Sequence, residues 1–458
     1  MLGLARSRNN GHQDKRFFLW LAVAALALRL LFVFRFPLIE TDGFVYGDLA
    51  KNLLQRHIYG LSTPAGPAPI YFRLPGYPLF LAFIFSVFGM EHYTAAMVVQ
   101  AIVDVGTCFV IADLVRRTVG SGAAKAAFLL AACCPFLANY AGAVLTETLA
   151  IFFAAAALDL AVAALQKQRL KFWALCGAAL AAGILLRPDG GILLAIIAAY
   201  LGYILVRGAP TRHTIAAAAL VCAIAALPLV PWTARNWSVF HCFQPLAPRY
   251  ANDPGEFVPV GFKRWAKTWI IDYSSVDDVL WKVPGEAADP GKLPARAFDS
   301  KEQRSRTEQL FAAYNQQLDI SPELDTEFAA LARERLRHAP LRYYVCLPVL
   351  RIAGMWLRPR TELLPLDSHW WRFRQDPHDS AISILWAALN LFFVGAAVLG
   401  LWRVSQIRYA GMMLAFVLAR SLFLATLENP EPRYTLECYP VVLVFAAGAL
   451  APKKDWND

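Results

Sequence analysis

Long apolar runs separated by short charged stretches define this chain. The first run covers residues 17–36, and others follow at 93–115, 123–144, 148–165, 172–186, 190–206 and 214–232. After a long polar stretch come three more, at 381–402, 409–427 and 434–450. Each approaches the roughly 20 residues a helix needs to cross a hydrocarbon core of about 30 Å. Two further apolar segments are different. "RLPGYPLFLAFIFSVFG" (73–89) is short and headed by prolines, and "LRYYVCLPVLRIAGMWLRP" (341–359) is interrupted by Pro348 and Arg351. The first reads as an interfacial or re-entrant helix and the second as an interfacial helix. The pattern predicts an all-α polytopic membrane protein, a helical bundle of about ten spans with interfacial helices and a small extracytoplasmic segment.

Charge sets the orientation. Arg6, Arg8, Lys15 and Arg16 precede the first run, while Arg116-Arg117, Lys167, Arg207, Arg403 and Lys453-Lys454 close later ones. The positive-inside rule makes these ends and both termini cytoplasmic. The formal net charge of +10 is therefore a topology signal. No basic–aromatic pattern supports a nucleic-acid partner. The first run is too long for a cleaved leader and lacks a small-residue cleavage site. Three regions follow: a transmembrane module over 1–235 with its first outer loop at 37–92, an extracytoplasmic segment over 236–379, and C-terminal spans over 380–458. A charged helical pattern marks 301–338. The eight cysteines contain no CxxC pair and read as packing residues, without a disulfide framework.

With this orientation, Asp42, Arg73, Glu147, Arg187, Arg235, Glu431 and Arg433 come from distant loops to one membrane face. Carboxylates there can act on a hydroxyl, and arginines can hold a phosphate. In "TDGFVYGDLAKNLL", Asp42, Tyr46, Leu49 and Leu53 share a helical face, while Asp48 faces elsewhere beside Lys51. Asp42 and Glu147 are the candidate catalytic carboxylates. Tyr46, Arg73, Tyr77, Arg187, Arg235, Glu431, Arg433 and Tyr434 are candidate substrate contacts. Several also have a plainer structural reading. Asp42 suits an N-cap, Glu147 suits a helix N-terminus, Arg73 could snorkel to headgroups, and Arg187 could pair with Asp189. Asp104 and Asp159, inside spans, read as internal hydrogen-bond partners.

The order of "TDGFVYGDLAKNLL", "RLPGYPLFLAFIFSVFG", "LTETLA", "LLRPDG", "PWTARN" and "EPRYTLECYP" resembles the GT-C glycosyltransferases that use polyprenyl-phosphate sugars. The resemblance is to the branch of protein O-mannosyltransferases and the lipid A aminoarabinose transferase. It implies that Asp42 is the general base of an inverting transfer, and that Arg73 and Arg187 face the lipid phosphate. It also implies a polyprenyl-phosphate sugar as donor and a glycan, lipid or protein as acceptor, at the extracytoplasmic face of a bacterial inner membrane. Family members often carry an acidic residue after that first aspartate, where this chain has Gly43. Some bind a divalent metal near the site. The loop here lacks the Glu-Lys-Pro-Pro form, so no metal ligand is assigned and metal dependence stays open.

A membrane transporter or flippase is the rival from another class, and it requires broken helices and mid-membrane charge. A non-catalytic envelope-complex subunit is the other rival. The absence of a DxD triplet and of a glycine-rich phosphate loop disfavours a nucleotide-sugar donor.

Overall fold

The structure is a computed structural model that describes residues 2–39 and 41–450. Glu40 and the Lys453-Lys454 pair lie outside the described residues, as do the side chains of Arg6 and Arg8. The first half comprises α1 (Leu2–Arg35), α2 (Thr41–Arg56), strands β1 (Gly60–Thr63) and β2 (Gly66–Pro69), α3 (Gly76–Phe88), α4 (Tyr93–Thr118) and α5 (Ser121–Ala132). It continues through α6 (Pro135–Tyr140), α7 (Glu147–Lys167), α8 (Leu170–Leu186), α9 (Gly191–Val206), α10 (Thr211–Ala226) and α11 (Leu229–Phe240). Then come α12 (Val260–Lys267), α13 (Tyr273–Ser275), α14 (Lys301–Gln317), α15 (Pro322–His338) and α16 (Leu347–Leu357). The chain closes with α17 (Pro377–Leu401), α18 (Ala410–Ala425) and α19 (Tyr439–Leu450).

Among the described residues, six helical segments are long and apolar enough to cross a membrane. They are Asp14–Arg35, Tyr93–Thr118, Glu147–Lys167, Pro188–Val206, Thr211–Phe240 and Pro377–Leu401. Shorter apolar helices add Gly76–Phe88, Ser121–Ala132, Leu170–Leu186 and Ala410–Ala425. The chain is an integral, multi-pass helical membrane protein. It divides into two compact units, the first of residues 1–254, 393–417 and 436–458, the second of residues 255–392 and 418–435.

In the first unit, α7 packs against α4 and α8, α8 against α10, and α19 against α5. The apolar run at 123–144 is not one helix. It breaks after Ala132 because Pro135 has no N–H to give to the carbonyl four residues back. Arg29 of α1 satisfies that break, donating to the carbonyls of Ala131 (3.0 Å) and Ala132, and its Nε lies 2.8 Å from Asp104. Both side chains are enclosed. This buried pair repairs a broken backbone in an apolar environment. Asp159 is likewise paired, with Arg117 at 2.8 Å.

Sequence periodicity missed the hairpin in the first outer loop, where β1 and β2 pair antiparallel with Thr63 opposite Gly66. Four-residue strands with prolines carry little alternation. Asp48 holds this hairpin, accepting from Ser62 N–H (2.6 Å) and Ser62 Oγ (2.7 Å). Lys51, its expected partner, pairs with Glu91 at 3.2 Å instead.

The second unit has an aromatic core of Phe262, Trp265, Trp269, Phe311, Tyr314 and Phe328. The charged pattern over 301–338 resolves into α14 and α15, each started by a serine. Ser300 Oγ accepts from Gln303 N–H (3.1 Å), and Ser321 Oγ from Leu324 N–H (3.2 Å) with Pro322 at the first helical position.

Candidate active site

Two backbone contacts assemble the site in the first unit. Just after α1, Leu38 forms a parallel bridge with Ala143, its N–H reaching Gly142 O (2.9 Å) and its carbonyl accepting from Val144 N–H (3.0 Å). This bridge seats the first turn of α2 beside the start of α7. Gly43 then lies so close that a Cβ would sit 3.0 Å from Val144 O. A side chain at the position after Asp42 needs Val144 to give by a few tenths of an ångström, and an acidic one would face its carbonyl oxygen. The second contact is Gly76, where a Cβ would stand 2.6 Å from the Leu185 backbone. Only glycine lets the "RLPGYP" loop press onto the end of α8, next to Arg187.

Asp42 lies in the first turn of α2, and its Oδ1 is 2.6 Å from Arg73 Nη2. The two side chains keep 32% and 29% of their exposure, so the pair is open to a ligand. The Arg73 guanidinium is 5.9 Å from the Tyr46 ring centre and 5.7 Å from that of Phe72. Tyr59 fixes the loop, its hydroxyl donating to Arg73 O (3.0 Å) and Leu74 O (3.2 Å).

The second pair is deeper. Arg187, at the C-terminal end of α8, places Nη1 3.0 Å from Glu147 Oε1. Its Nε lies 3.3 Å from Glu437 Oε1 and 3.4 Å from Asp189 Oδ1. These three carboxylates are 4%, 7% and 10% exposed. Glu147 opens α7, where the helix dipole favours a carboxylate. The paired and membrane-end readings of Arg187 thus coincide with convergence on Glu147. Glu437 was not singled out from sequence. Its signal was its place in the quoted "EPRYTLECYP", where the nearer Glu431 and Arg433 drew attention.

Tyr46 stands between the pairs. Burial pushes its hydroxyl pKa up to about 12, and the charges it senses are Arg73, Asp42, Glu147 and Arg187. It is therefore a neutral hydroxyl at physiological pH, and among the described residues it has no hydrogen-bond partner. Tyr77 packs edge-on to it at 5.1 Å. The Tyr77 hydroxyl points away into the bundle, donating to Gln100 Oε1 (2.5 Å), whose amide donates to Ala143 O (2.8 Å). Tyr77 walls the site and braces the Leu38–Ala143 bridge.

Arg235 is occupied elsewhere in the unit. It donates to Ile70 O (2.6 Å) and Tyr59 O (2.7 Å) and stacks near Tyr59, Trp232 and Phe240. It ties the hairpin to α11 and reaches Arg73 only through their shared Tyr59. Glu431, Arg433 and Tyr434 belong to the second unit and form a cluster of their own. Glu431 Oε2 is 2.5 Å from Arg433 Nε, and Tyr434 donates to Glu431 Oε1 (2.5 Å).

No group of three or more His, Cys, Asp or Glu among the described residues is arranged to hold a metal ion. The site carboxylates do not fit a divalent cation as they stand, because each is turned to a guanidinium.

Residues 68–232 match the family described as dolichyl-phosphate-mannose-protein mannosyltransferase. No curated protein matches the chain by sequence. Among solved structures it is similar to the archaeal oligosaccharyltransferase AglB from Archaeoglobus fulgidus in complex with an inhibitory peptide and a dolichol-phosphate. The likeness has a TM-score of 0.53 at 14% identity, over 95% of this chain and 50% of that one. The apo form of the Archaeoglobus fulgidus enzyme scores 0.53 at 14% identity, over 94% and 50%. The chain thus spans about half the length of that enzyme. ArnT from Cupriavidus metallidurans bound to undecaprenyl phosphate gives 0.43 at 13% identity, over 93% of this chain and 77% of that one. At 14% identity the Archaeoglobus likeness speaks for the fold, and the stretch matched by the family contains Arg73, Tyr77, Glu147 and Arg187. The chain is thus a polytopic membrane protein with the fold of the Archaeoglobus oligosaccharyltransferase, and its residues 68–232 match the mannosyltransferase family model.

Proposed function

We propose that this chain moves a monosaccharide from a polyprenyl-phosphate donor to a hydroxyl of a glycan, lipid or protein acceptor, with inversion at the anomeric carbon. The reaction runs at the extracytoplasmic face of a bacterial inner membrane. One observation carries the reading: two arginine–carboxylate pairs, Asp42–Arg73 and Glu147–Arg187, meet around the neutral hydroxyl of Tyr46. The Archaeoglobus neighbour carries a dolichol-phosphate, a lipid phosphate of the class proposed here.

The chemistry follows from the two pairs. A donor phosphate draws on the half-open Arg73 and frees an oxygen of Asp42 to face the acceptor hydroxyl. Asp42 takes the acceptor's proton as the acceptor oxygen bonds to the anomeric carbon. The bond from that carbon to the phosphate oxygen breaks, and its electron pair leaves on the phosphate. Arg73 and Arg187 stabilise the added negative charge, which is where fixed donors act most strongly. Glu147, Asp189 and Glu437 hold Arg187 in place, and Tyr46 offers a hydrogen bond to sugar or phosphate.

The test is reconstitution in liposomes with a labelled polyprenyl-phosphate sugar and an acceptor extract from the envelope. Release of the lipid phosphate together with an inverted product supports the reading. Retention of configuration, or sugar transfer only from a nucleotide donor, overturns it.

A further inference from the structure

The second unit contains a groove of about 650 Å³ that the reaction above does not use. Arg264 and Lys267 reach it from α12, Arg333 from α15 and Arg351 from α16. Asp325 is the one carboxylate in the lining, and its two oxygens already accept from Gly261 N–H (2.9 Å) and Phe262 N–H (2.8 Å). Four lining cations face one committed lining carboxylate, with Glu428 the further carboxylate that Arg351 senses, and this leaves a surplus of positive charge. Arg351 is buried and pinned, donating to the carbonyls of Ile270 (2.9 Å), Ala425 (3.2 Å) and Lys267. No carboxylate pairs with it among the described residues. Arg264 and Arg333 are exposed at the rim, and neither has a hydrogen bond or ion pair among the described residues. A fixed cation at the floor with two uncommitted guanidinium groups above it suits a phosphate, which arginine forks bind with two parallel hydrogen bonds.

The chain beside the groove identifies the phosphate's owner. Tyr344 lines the groove and is 66% exposed, and Leu341, Val345 and Val349 next to it are 72%, 50% and 58% exposed. Apolar side chains laid bare next to cations are the arrangement of a segment lying in a bilayer interface, with rings and aliphatic groups among acyl chains and cations at headgroup level. A soluble anion would need the cations and would leave these residues in water. We propose that this groove binds the headgroup phosphate of an anionic phospholipid, whose acyl chains cover the exposed apolar residues at the start of α16.

The test is native mass spectrometry of the full-length, detergent-solubilised chain titrated with phosphatidylglycerol or phosphatidylcholine of identical acyl chains. Wild type should bind phosphatidylglycerol about 10-fold more tightly than phosphatidylcholine, the gain expected from a charge-assisted contact. Arg264→Gln with Arg333→Gln should abolish that preference, while Arg264→Lys with Arg333→Lys should keep most of it. Arg304→Gln with Arg306→Gln, on exposed arginines that already have acidic partners, should leave it intact. All four positions are solvent-facing, so thermal unfolding should be unchanged. Equal affinity for the two lipids, or a preference that survives the Arg264/Arg333 double glutamine variant, overturns the proposal. So does displacement of bound lipid by millimolar inorganic phosphate without lipid preference, which makes the groove a site for free anions.

Discussion

Changing Asp42 to Asn separates a catalytic carboxylate from a structural one, because the structure bounds its structural worth. Asp42 and Arg73 form a short pair, yet each keeps about a third of its exposure. Ion pairs of that openness contribute about 0–1 kcal/mol. A second structural asset is a place in the first turn of α2, where a negative charge is worth about 0.3–1 kcal/mol, and Asn keeps a polar side chain of the same size there for its remaining contacts. Together these two terms amount to no more than about 2 kcal/mol. Loss of a general base instead costs about 10²–10⁴ in rate, or roughly 3–5 kcal/mol of barrier at 1.36 kcal/mol per decade. The assay is single-turnover transfer from labelled donor in liposomes, run beside donor binding and thermal unfolding of the same preparations. Asp42→Asn should unfold within a few degrees of wild type, bind donor and transfer at least about 100-fold more slowly. Asp48→Asn is the control. It loses charge-assisted bonds to Ser62 and should weaken the hairpin by about 1.5 kcal/mol or more, with near-normal transfer once folded. A normal single-turnover rate in the Asp42 variant would refute the base and leave Glu147 as the remaining carboxylate for the role.

Other outcomes are equally concrete. Arg187→Ala strips three nearly buried carboxylates of their shared cation and should destabilise the protein by about 3–5 kcal/mol in thermal or urea unfolding, whereas Arg187→Lys should keep part of both stability and donor affinity. Gly76→Ala drives a Cβ into the Leu185 backbone, so transfer should fall while the variant still inserts into membranes, measured by activity per inserted protein. Arg29→Ala should be strongly destabilising through the orphaned Asp104, and adding Asp104→Leu should recover much of the loss in the same unfolding assay. Burial raises the pKa of the Glu362 carboxyl in the loop after α16. An acid with a raised folded pKa binds its proton more tightly when folded, so its contribution falls as pH rises from the unfolded carboxyl range toward the folded pKa. Glu362→Gln should flatten that part of the stability–pH curve and stabilise the chain at neutral pH.

Much of this protein is legible along the chain, because the bilayer imposes a length and polarity requirement on each segment by itself. Runs such as 93–115 and 148–165 announce α4 and α7, and the serine caps of α14 and α15 are local chemistry that a sequence carries in plain view. Asp42, Arg73, Glu147 and Arg187 were nameable for a related reason, since charge beside an apolar run is costly and stands out. What the chain order could not decide is which of these groups meet. The Leu38–Ala143 bridge and the Gly76–Leu185 contact join backbone more than 100 residues apart, with no periodic signature. The approach of Glu437 to Arg187 and of Arg235 to the Tyr59 and Ile70 carbonyls is equally long-range. The break after Ala132, too, is repaired by a side chain from another helix, Arg29. A backbone carbonyl left unpaired in lipid demands a partner, and only the folded chain determines which residue supplies it.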